Sequence, residues 1–363
     1  MHDRARVYES LRSAHLERAH ALEPASLLHR RRRYDFDPAL ADGLDLVQGG
    51  TFSLAVTILR SRLAGVEVNE PLLRSGSWKT VVAVSAARWA ARVRRSPVVV
   101  VSYAIENHDP FGAPARSWRS TVRARLDRAM GRYTARRIDR IAYGTTAAAE
   151  LYAARLGGEL DGAAATVVPA LPAPCHCPTS DDRDPDRVVF VGAFVPRKGL
   201  PELVQAWPLV VDRHPGARLT LVGKGPLEGL ARDLAARVEG VDVVVDPPRS
   251  ELHRVIRTSA VLVLLSQRTP TWREQVGLPI VEGLAHGCAV VTTEETGLAG
   301  WLSGHGHDVV PAGASGEQVA AAIGAALARR RSAGSVLADL PDVDGRLAAD
   351  RWLFQPLARV PQG

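Results

Sequence analysis

From residue 44 onward, short apolar runs alternate with longer segments in which apolar residues recur every three or four positions. The runs predict buried β-strands, and the periodic segments predict amphipathic α-helices. In the first half of the chain, the predicted strands lie at 44–48, 66–69, 97–104, 141–143 and 166–168, and the predicted helices at 52–63, 79–93, 117–137 and 147–156.

A stretch rich in proline and aspartate at 171–186 interrupts the alternation, and we predict that it is a linker. After it come predicted strands at 188–192, 218–222, 241–245, 261–266, 289–292 and 308–310, and predicted helices at 201–214, 228–238, 251–258 and 315–331. Such alternation predicts parallel sheets with helices on both faces. We therefore predict an α/β protein with two Rossmann-like domains, at 1–170 and 187–340, facing a central cleft, and a helical tail at 341–363 that returns toward the first domain.

The first 43 residues fit this scheme least. Residues 5–21 predict a helix, and Arg30–Arg33 is a run of four arginines. A Rossmann-like domain usually opens with an apolar strand that ends in a glycine loop, and this segment shows none. We predict that the N-terminal region is shortened or atypical, or that its first strand is disguised.

Composition limits the class of protein. The apolar share of 46% is that of a globular chain. No apolar run approaches the roughly 18 residues that span a bilayer, which predicts a cytoplasmic protein. Three cysteines do not make a disulfide framework, and Cys175-His-Cys177 has no second ligand pair at metal-binding spacing. Linker cysteines are therefore favoured over a metal site.

Positive charge is concentrated in the first half of the chain. Residues 1–180 hold 26 Lys and Arg against 17 Asp and Glu, whereas the remainder holds 20 against 22. This imbalance indicates either an acidic partner, such as an anionic membrane at its inner face, or a solvated arginine-rich surface. The segment 117–140 is predicted to be an interfacial helix or, as we slightly favour, a sheet-covering helix with arginines in solvent. Nucleic acid is not expected, since the segment lacks stacking platforms and reader motifs.

The richest motif is the stretch 274–291, which begins Glu-Gln-Val-Gly-Leu-Pro-Ile-Val-Glu. Pro279 suits the first turn of a helix and Gly287 its end, so Glu274 and Gly277 are predicted on the entering loop and Glu282 in the first turns. A helix N-terminus favours phosphate, and carboxylates accept hydrogen bonds from sugar hydroxyls. Together they predict a site for a phosphorylated sugar.

Two further loops follow predicted strands of the second domain. The first runs from Gly192 to Arg197-Lys198-Gly199, where two adjacent cations suit a diphosphate. The second contains Gly223 and Gly225, which allow a close backbone approach or a tight turn. Each motif alone is weak, but their order across one domain is informative.

With these residues, the chain resembles the retaining glycosyltransferases of the GT-B fold, glycosyltransferase family 4. The resemblance is clear over 187–331 and only topological over 44–170. It implies an N-terminal acceptor domain and a C-terminal domain that binds a nucleotide-diphosphate sugar. It also implies a sugar transfer to a hydroxyl group with retention of anomeric configuration, no metal and no cofactor.

The resemblance implies roles for particular residues. Catalytic roles fall to Arg197 and Lys198 as diphosphate ligands, to Glu274 beside the donor sugar, and to His108 in the first domain, which otherwise only caps a loop. Donor binding falls to five residues, Gly192, Gly223, Gly277, Leu278 and Glu282, the last holding the ribose hydroxyls.

Three matters stay open at this stage. The acceptor is unknown, with a lipid-linked or cell-envelope glycan as one hypothesis. The protein can instead be an inactive partner subunit that binds the donor without turning it over. It can also be a sugar-nucleotide epimerase of the same fold, although the spacing of the two glutamates argues against that.

Overall fold

The computed structural model describes residues 1–33, 36–74, 76–112, 117–175, 177 and 183–355. The chain divides into two compact units, and each has its own parallel sheet and its own hydrophobic core. The first unit runs from Met1 to Pro169 and also takes in the segment that begins at Arg346, whereas the second runs from Ala170 to Gly345. The predicted linker at 171–186 lies partly outside the described residues.

The first unit contains a sheet of seven parallel strands among its described residues. The strands are β1 Arg4–Leu11, β2 Ser26–Arg32, β3 Leu46–Gln48, β4 Gly65–Glu67, β5 Val99–Ala104, β6 Arg140–Tyr143 and β7 Ala164–Val167, in the order β3-β2-β1-β4-β5-β6-β7. The helices of this part are α1 Ser13–Ala21, α2 Thr51–Arg60, α3 Ser77–Arg94, α4 Trp118–Ala135 and α5 Thr146–Leu160.

The second unit contains a sheet of six parallel strands in the part of it that the structure describes. These are β8 Asp184–Val191, β9 Arg218–Val222, β10 Val241–Val244, β11 Ser259–Leu264, β12 Ala289–Thr293 and β13 Asp308–Val310, in the order β10-β9-β8-β11-β12-β13. Its helices are α6 Leu200–Arg213, α7 Glu228–Arg237, α8 Arg249–Arg257, α9 Leu278–Ala285, α10 Ala299–Gly304, α11 Gly316–Arg329 and α12 Ala333–Leu337. A last helix, α13 Gly345–Leu353, continues into the segment that packs on the first unit.

The helix expected over residues 5–21 is wrong for its first half, because residues 4–11 form β1 in the middle of the first sheet. The strand is disguised by Arg6, a charged residue at a position that is almost fully buried. Arg6 donates to Asp350 of α13 at 2.8 Å, and its Nε lies 3.3 Å from Glu67 of β4. A buried guanidinium is tolerated only when it is paired in this way. The first strand is therefore present, but its partner lies more than 340 residues away.

The segment from Arg346 packs on the first sheet through both apolar and charged groups. Ala349 and Leu353 are buried against Val101 and Ala142 of β5 and β6. Asp350 of the same helix has no exposed surface. The first unit thus includes a helix whose residues follow the second unit in sequence.

Within the part of the chain that the structure describes, no helix combines the length and the apolar composition of a transmembrane segment.

Candidate functional site

The candidate groups of the second unit follow the carboxyl ends of neighbouring strands. Gly192 follows β8, and Gly223 and Gly225 follow β9, which pairs directly with β8. A Cβ on Gly223 would lie 1.9 Å from the carbonyl oxygen of Gly192, and one on Gly225 would lie 2.6 Å from that of Phe194. Both glycines also have positive φ angles. Only glycine fits here, because the two strand-to-helix loops approach backbone to backbone.

Arg197 and Lys198 occupy a single turn of 3₁₀-helix, Pro196–Lys198, between β8 and α6. Gly199 ends the turn with φ +78°, and a Cβ there would lie 2.0 Å from the carbonyl oxygen of Leu265. The N–H of Gln267 also donates to the carbonyl of Arg197 at 2.9 Å. The turn therefore packs directly against residues 265–267, which follow β11, and a hydrogen bond fixes it there.

Trp272 lies beneath both cations of this turn. The Arg197 guanidinium carbon is 4.3 Å from the Trp272 ring centroid, and the Lys198 nitrogen is 5.2 Å from it. These distances are those of cation–π contacts, which hold the two positive groups over one aromatic face. Sequence reasoning missed Trp272, although it stands two positions before Glu274.

Glu274 meets Lys198 across 76 positions of the chain. Its Oε2 accepts from the Lys198 nitrogen at 2.5 Å and from the Ser266 hydroxyl at 2.8 Å. The Glu274 side chain is 10% exposed and that of Lys198 is 14% exposed, so solvent screens this ion pair little. The structure thus joins two of the predicted catalytic residues in one contact, and Ser266 orients the carboxylate.

Helix α9 begins immediately after this pair. Gly277 stands at its N-cap with φ +83°, Leu278 and Pro279 form the first turn, and the first helical bond runs from Val281 N–H to the Gly277 carbonyl. The N–H groups ahead of Val281 therefore lie outside the helical bonding pattern, at the positive end of the helix dipole. Leu278 is 48% exposed, which leaves this end of α9 at the surface.

Glu282 lies in the second turn of α9 and is buried apart from 8% of its surface. Its Oε1 is 3.1 Å from a guanidinium nitrogen of Arg249, the first residue of α8. The predicted ribose ligand is therefore held from a neighbouring helix by a residue that the sequence analysis did not single out. No local pattern connects positions 249 and 282, so only the packing of α8 on α9 could reveal the pair.

A second acidic centre, also missed, follows β12. Glu295 is 3% exposed, and its Oε2 accepts from Arg268 at 3.1 Å and from Arg273 at 2.8 Å. Both arginines belong to the loop that carries Trp272 and Glu274. Glu295 therefore anchors the loop from both sides of the tryptophan and so fixes the aromatic platform.

His108 lies in the first unit, on the loop that follows β5, and its N–H donates to the Glu106 carboxylate at 2.9 Å. The loop is held by Glu70, whose Oε2 accepts from the N–H groups of Ile105 and Glu106 and from the Tyr152 hydroxyl. Burial raises the pKa of the Glu70 carboxyl from 4.5 to about 7, although the N–H donors oppose that rise. The predicted position of His108 after a central strand is what the structure shows, and its role stays a prediction.

Helix α4 places apolar side chains in solvent. Trp118, Val122 and Leu126, spaced one turn apart, are 72%, 46% and 58% exposed. Arginines at 119, 123 and 125 beside them are exposed too, whereas the buried residues of α4 are Asp127, Gly131, Thr134 and Ala135. The favoured interpretation, an ordinary helix with its apolar side on the sheet, is wrong for the first half of α4. Arg116, part of the same basic segment, lies outside the described residues.

Comparison with known proteins finds a family match within the second unit. Residues 185–329 match the family described as glycosyl transferases group 1. The second unit therefore resembles that family over most of its length. The resemblance predicted from Arg197, Lys198, Gly223 and the two glutamates is thereby confirmed for this part of the chain.

Curated relatives match a limited stretch of the chain. The phosphatidyl-myo-inositol mannosyltransferases of Mycobacterium tuberculosis and Mycobacterium bovis are each 35% identical over 111 residues. That stretch is 30% of this chain and 28% of each relative. The chain is therefore matched over less than a third of the length of these curated relatives.

Solved structures match nearly the whole chain. WaaG, a glycosyltransferase involved in lipopolysaccharide biosynthesis, aligns with 97% of this chain and 100% of its own at TM-score 0.60 and 15% identity. Anabaena HepE in complex with UDP aligns with 97% of this chain and 95% of its own at TM-score 0.64 and 12% identity. Apo OtsA aligns with 98% of this chain and 100% of its own at TM-score 0.60 and 12% identity. These matches confirm the predicted fold class, the two parallel α/β domains of GT-B proteins.

Proposed function

We propose that the protein is a glycosyltransferase that moves a sugar from a nucleotide-diphosphate sugar to a hydroxyl acceptor, with retention of anomeric configuration and without a metal ion. The observation that carries the proposal is the cluster formed by Arg197, Lys198, Trp272 and Glu274 ahead of the N-terminus of α9. It combines two cations, backbone N–H groups and a carboxylate at one edge of a unit that matches the glycosyl transferases group 1 family. The relatives with UDP in their structures support the same donor class.

The proposed reaction breaks the bond between the anomeric carbon and the diphosphate oxygen, and forms a bond from that carbon to the acceptor oxygen. The proton of the acceptor hydroxyl passes to the departing phosphate on the same face of the sugar. Negative charge develops on the diphosphate as it leaves, and fixed positive groups stabilise that charge without reorganising. Arg197 and Lys198 are fixed in this sense, because Trp272 supports both of them.

Glu274 has two duties in this proposal. Its Oε2 is occupied by Lys198 and Ser266, so it holds the lysine in place before the donor arrives. A carboxylate accepts about four hydrogen bonds through its two oxygens, and Glu274 is also proposed to bind hydroxyl groups of the donor sugar. Glu274 is not assigned as a covalent nucleophile.

Glu282 is proposed to accept hydrogen bonds from the ribose hydroxyls of the donor. Arg249 holds one of its oxygens at 3.1 Å, which fixes the carboxylate in a direction set by α8. A fixed acceptor loses less conformational entropy when a ligand binds than a mobile one does. Gly192 and Gly223 bring their backbones close enough for a ligand to lie directly on the chain.

The acceptor is proposed to be a lipid-linked or cell-envelope glycan reached at an anionic membrane surface, with His108 on the acceptor side of the reaction. The exposed apolar stripe of Trp118, Val122 and Leu126, flanked by arginines, suits the interface of such a membrane. The named substrates of the mannosyltransferase relatives and the pathway of WaaG are in keeping with a membrane acceptor.

A vesicle experiment tests the membrane part of the proposal. We expect the protein to sediment with vesicles that contain phosphatidylglycerol and not with neutral ones, and Leu126→Glu to reduce that binding several-fold. Val245→Glu, which changes an exposed apolar residue of the second unit, serves as the control. Equal sedimentation of Leu126→Glu and wild type, or no sedimentation with anionic vesicles, would reject the surface.

A turnover experiment tests the activity itself. The protein is incubated with UDP-, GDP- and ADP-sugars in the presence of a lipid extract, and released nucleotide and glycolipid are measured together. We expect the nucleotide to be released together with the formation of a glycolipid whose new bond keeps the donor's anomeric configuration. Conversion of the sugar nucleotide without an acceptor would favour the epimerase, and donor binding without any turnover would favour the inactive partner subunit.

A further inference from the structure

The second unit brings Cys175, Cys177 and His286 together, although the cysteines precede β8 and the histidine ends α9. One ligand atom from each, the two sulfurs and an imidazole nitrogen, all lie within 4.8 Å of one another. The Cys175 N–H donates to the carbonyl of Ala285 at 2.8 Å, so the backbone beside the first cysteine is tied to the end of α9.

The segment is tied down on its other side as well. Arg183 donates to the carbonyls of His286 and Gly287 at 3.1 and 2.9 Å. The N–H of Cys177 donates to the Cys175 sulfur at 3.3 Å. Hydrogen bonds from Cys175 and Arg183 to backbone carbonyls at the end of α9 therefore hold the two sulfurs beside His286.

A second histidine stands next to the first. Nδ1 of His253 on α8 lies 2.9 Å from Nε2 of His286, and the two rings meet edge to face. Sequence analysis found no second ligand pair because 253 and 286 meet only through the packing of α8 on α9.

We propose that Cys175, Cys177 and His286, with His253 beside them, form a site for a divalent cation of the zinc type when the cysteines are reduced. Two thiolates and two imidazoles are a donor set that suits tetrahedral zinc. Cys175, Cys177 and His286 already lie together, and His253 would become the fourth ligand by giving up its hydrogen bond to His286. Zinc bonds of about 2.3 Å to sulfur and about 2.0 Å to nitrogen place ligand atoms about 3.5 Å apart. The two sulfurs, which are bonded to each other in the structure, would move apart to this spacing after reduction, and the imidazole nitrogen already lies within 4.8 Å of both.

The oxidation state of Cys175 and Cys177 decides whether the site can hold a metal ion. Binding of one zinc ion to the dithiol forms two zinc–sulfur bonds and releases two protons. In the structure the two cysteines are joined in a disulfide, which excludes the metal. A dithiol reductant that is itself oxidised to a disulfide supplies the two electrons and two protons that open the bond. The metal-bound and disulfide forms are therefore alternatives.

The site would fix two helices that also carry groups of the candidate donor site. Arg249 and His253 lie one turn apart on α8, and Glu282 and His286 lie one turn apart on α9. Arg249 and Glu282 meet in a salt bridge, and His253 and His286 meet at the proposed metal site. A bound ion would therefore hold α8 and α9 in the register that aligns Arg249 with Glu282.

Metal analysis of the full chain tests the proposal without any measurement of enzymatic activity. Protein reduced with a phosphine and freed of metal by a chelator is titrated with Zn²⁺ against a chromophoric competitor, and Co²⁺ is used to read out thiolate ligation by its charge-transfer absorption. We expect one equivalent of Zn²⁺, a cobalt–thiolate band, and a rise in the melting temperature of the second unit.

Matched variants decide which residues hold the ion. Cys177→Ser and His286→Ala should each lower zinc affinity at least about 10-fold, and His253→Ala should lower it as well. His305→Ala, which removes a histidine elsewhere in the second unit, should bind zinc like wild type. Circular dichroism confirms that each variant is folded, and Cys177→Ser keeps the proposal testable if His286→Ala unfolds. Absence of zinc binding by the reduced protein, equal binding by the oxidised protein, or unchanged affinity in Cys177→Ser would overturn the proposal.

Discussion

Asp350→Ala tests the ion pair that disguises β1. In the folded protein Asp350 is fully buried and accepts from Arg6, which is 1% exposed. The substitution removes the carboxylate and leaves a guanidinium in the sheet with Glu67 as its remaining close acid. A buried charge that loses its partner cannot return to water without disrupting the sheet around it.

The expected cost follows from the burial of the pair. Breaking a buried ion pair by removing one partner costs about 3–5 kcal/mol. For a unit of this size, each kcal/mol lowers the melting temperature by about 2–4 °C, so a fall of about 6–20 °C is expected for the first unit. Urea unfolding followed by circular dichroism, with the two units resolved as separate transitions, measures this change.

Two companion variants interpret the result. Arg351→Ala breaks the neighbouring contact of α13 with Glu23, which lies at 3.5 Å between largely exposed groups and is worth about 0–1 kcal/mol. The double variant Arg6→Met/Asp350→Leu replaces this pair with apolar groups, leaves Arg346 paired with Glu67, and should recover most of the loss. If Asp350→Ala costs no more than Arg351→Ala, or if the double variant is no better than the single one, the reasoning about β1 is refuted.

Two further predictions concern the loops of each unit. Gly199→Ala should destabilise the second unit and weaken donor binding, because the added Cβ would lie 2.0 Å from the Leu265 carbonyl oxygen. Gly313→Ala is the control, because Gly313 also has a positive φ (+71°) but nothing lies within 4 Å of the added Cβ. This control isolates the cost of the backbone angle, so it should lower the melting temperature less than Gly199→Ala does. The pKa of the Glu70 carboxyl is about 7 in the folded protein, against an ordinary value of 4.5. Its contribution to the free energy of unfolding is therefore complete below pH 4.5. That contribution is lost, by up to about 3 kcal/mol, as the pH rises through 7. Glu70→Gln should flatten this decline in urea unfolding of the first unit, and a decline as steep as that of wild type would contradict the assignment.

Most elements of the fold were predictable from the sequence because their patterns are local. The strand at 218–222 and the alternation after it require only apolar runs and the turns between them. β1 could not be predicted, because Arg6 is acceptable in a central strand only when it is paired with Asp350. Asp350 lies 344 positions away, so no local pattern reveals the pair. The helix expected at 5–21 was the reasonable interpretation of a charged segment without its partner.

The candidate site divides in the same way. Arg197, Lys198, Glu274 and Glu282 stand in motifs whose chemistry is visible in sequence. The contacts that orient them are not visible, because Arg249 reaches Glu282 from another helix and Ser266 reaches Glu274 from the preceding strand's end. The imidazole pair of His253 and His286 is hidden for the same reason.

Calorimetric titration with UDP-, GDP- and ADP-sugars is the most direct test of the central claim, that the loops after β8 and β11 bind a nucleotide-diphosphate sugar. We predict that one nucleotide class binds the wild type, and that Arg197→Ala and Glu282→Ala each weaken it at least about 10-fold, since a hydrogen bond to a charged group contributes about 1.5–3 kcal/mol. Arg218→Ala, which removes an exposed, paired cation at the start of β9, should bind like wild type. Binding that survives in both site variants, or no binding by the folded wild type, would contradict the account.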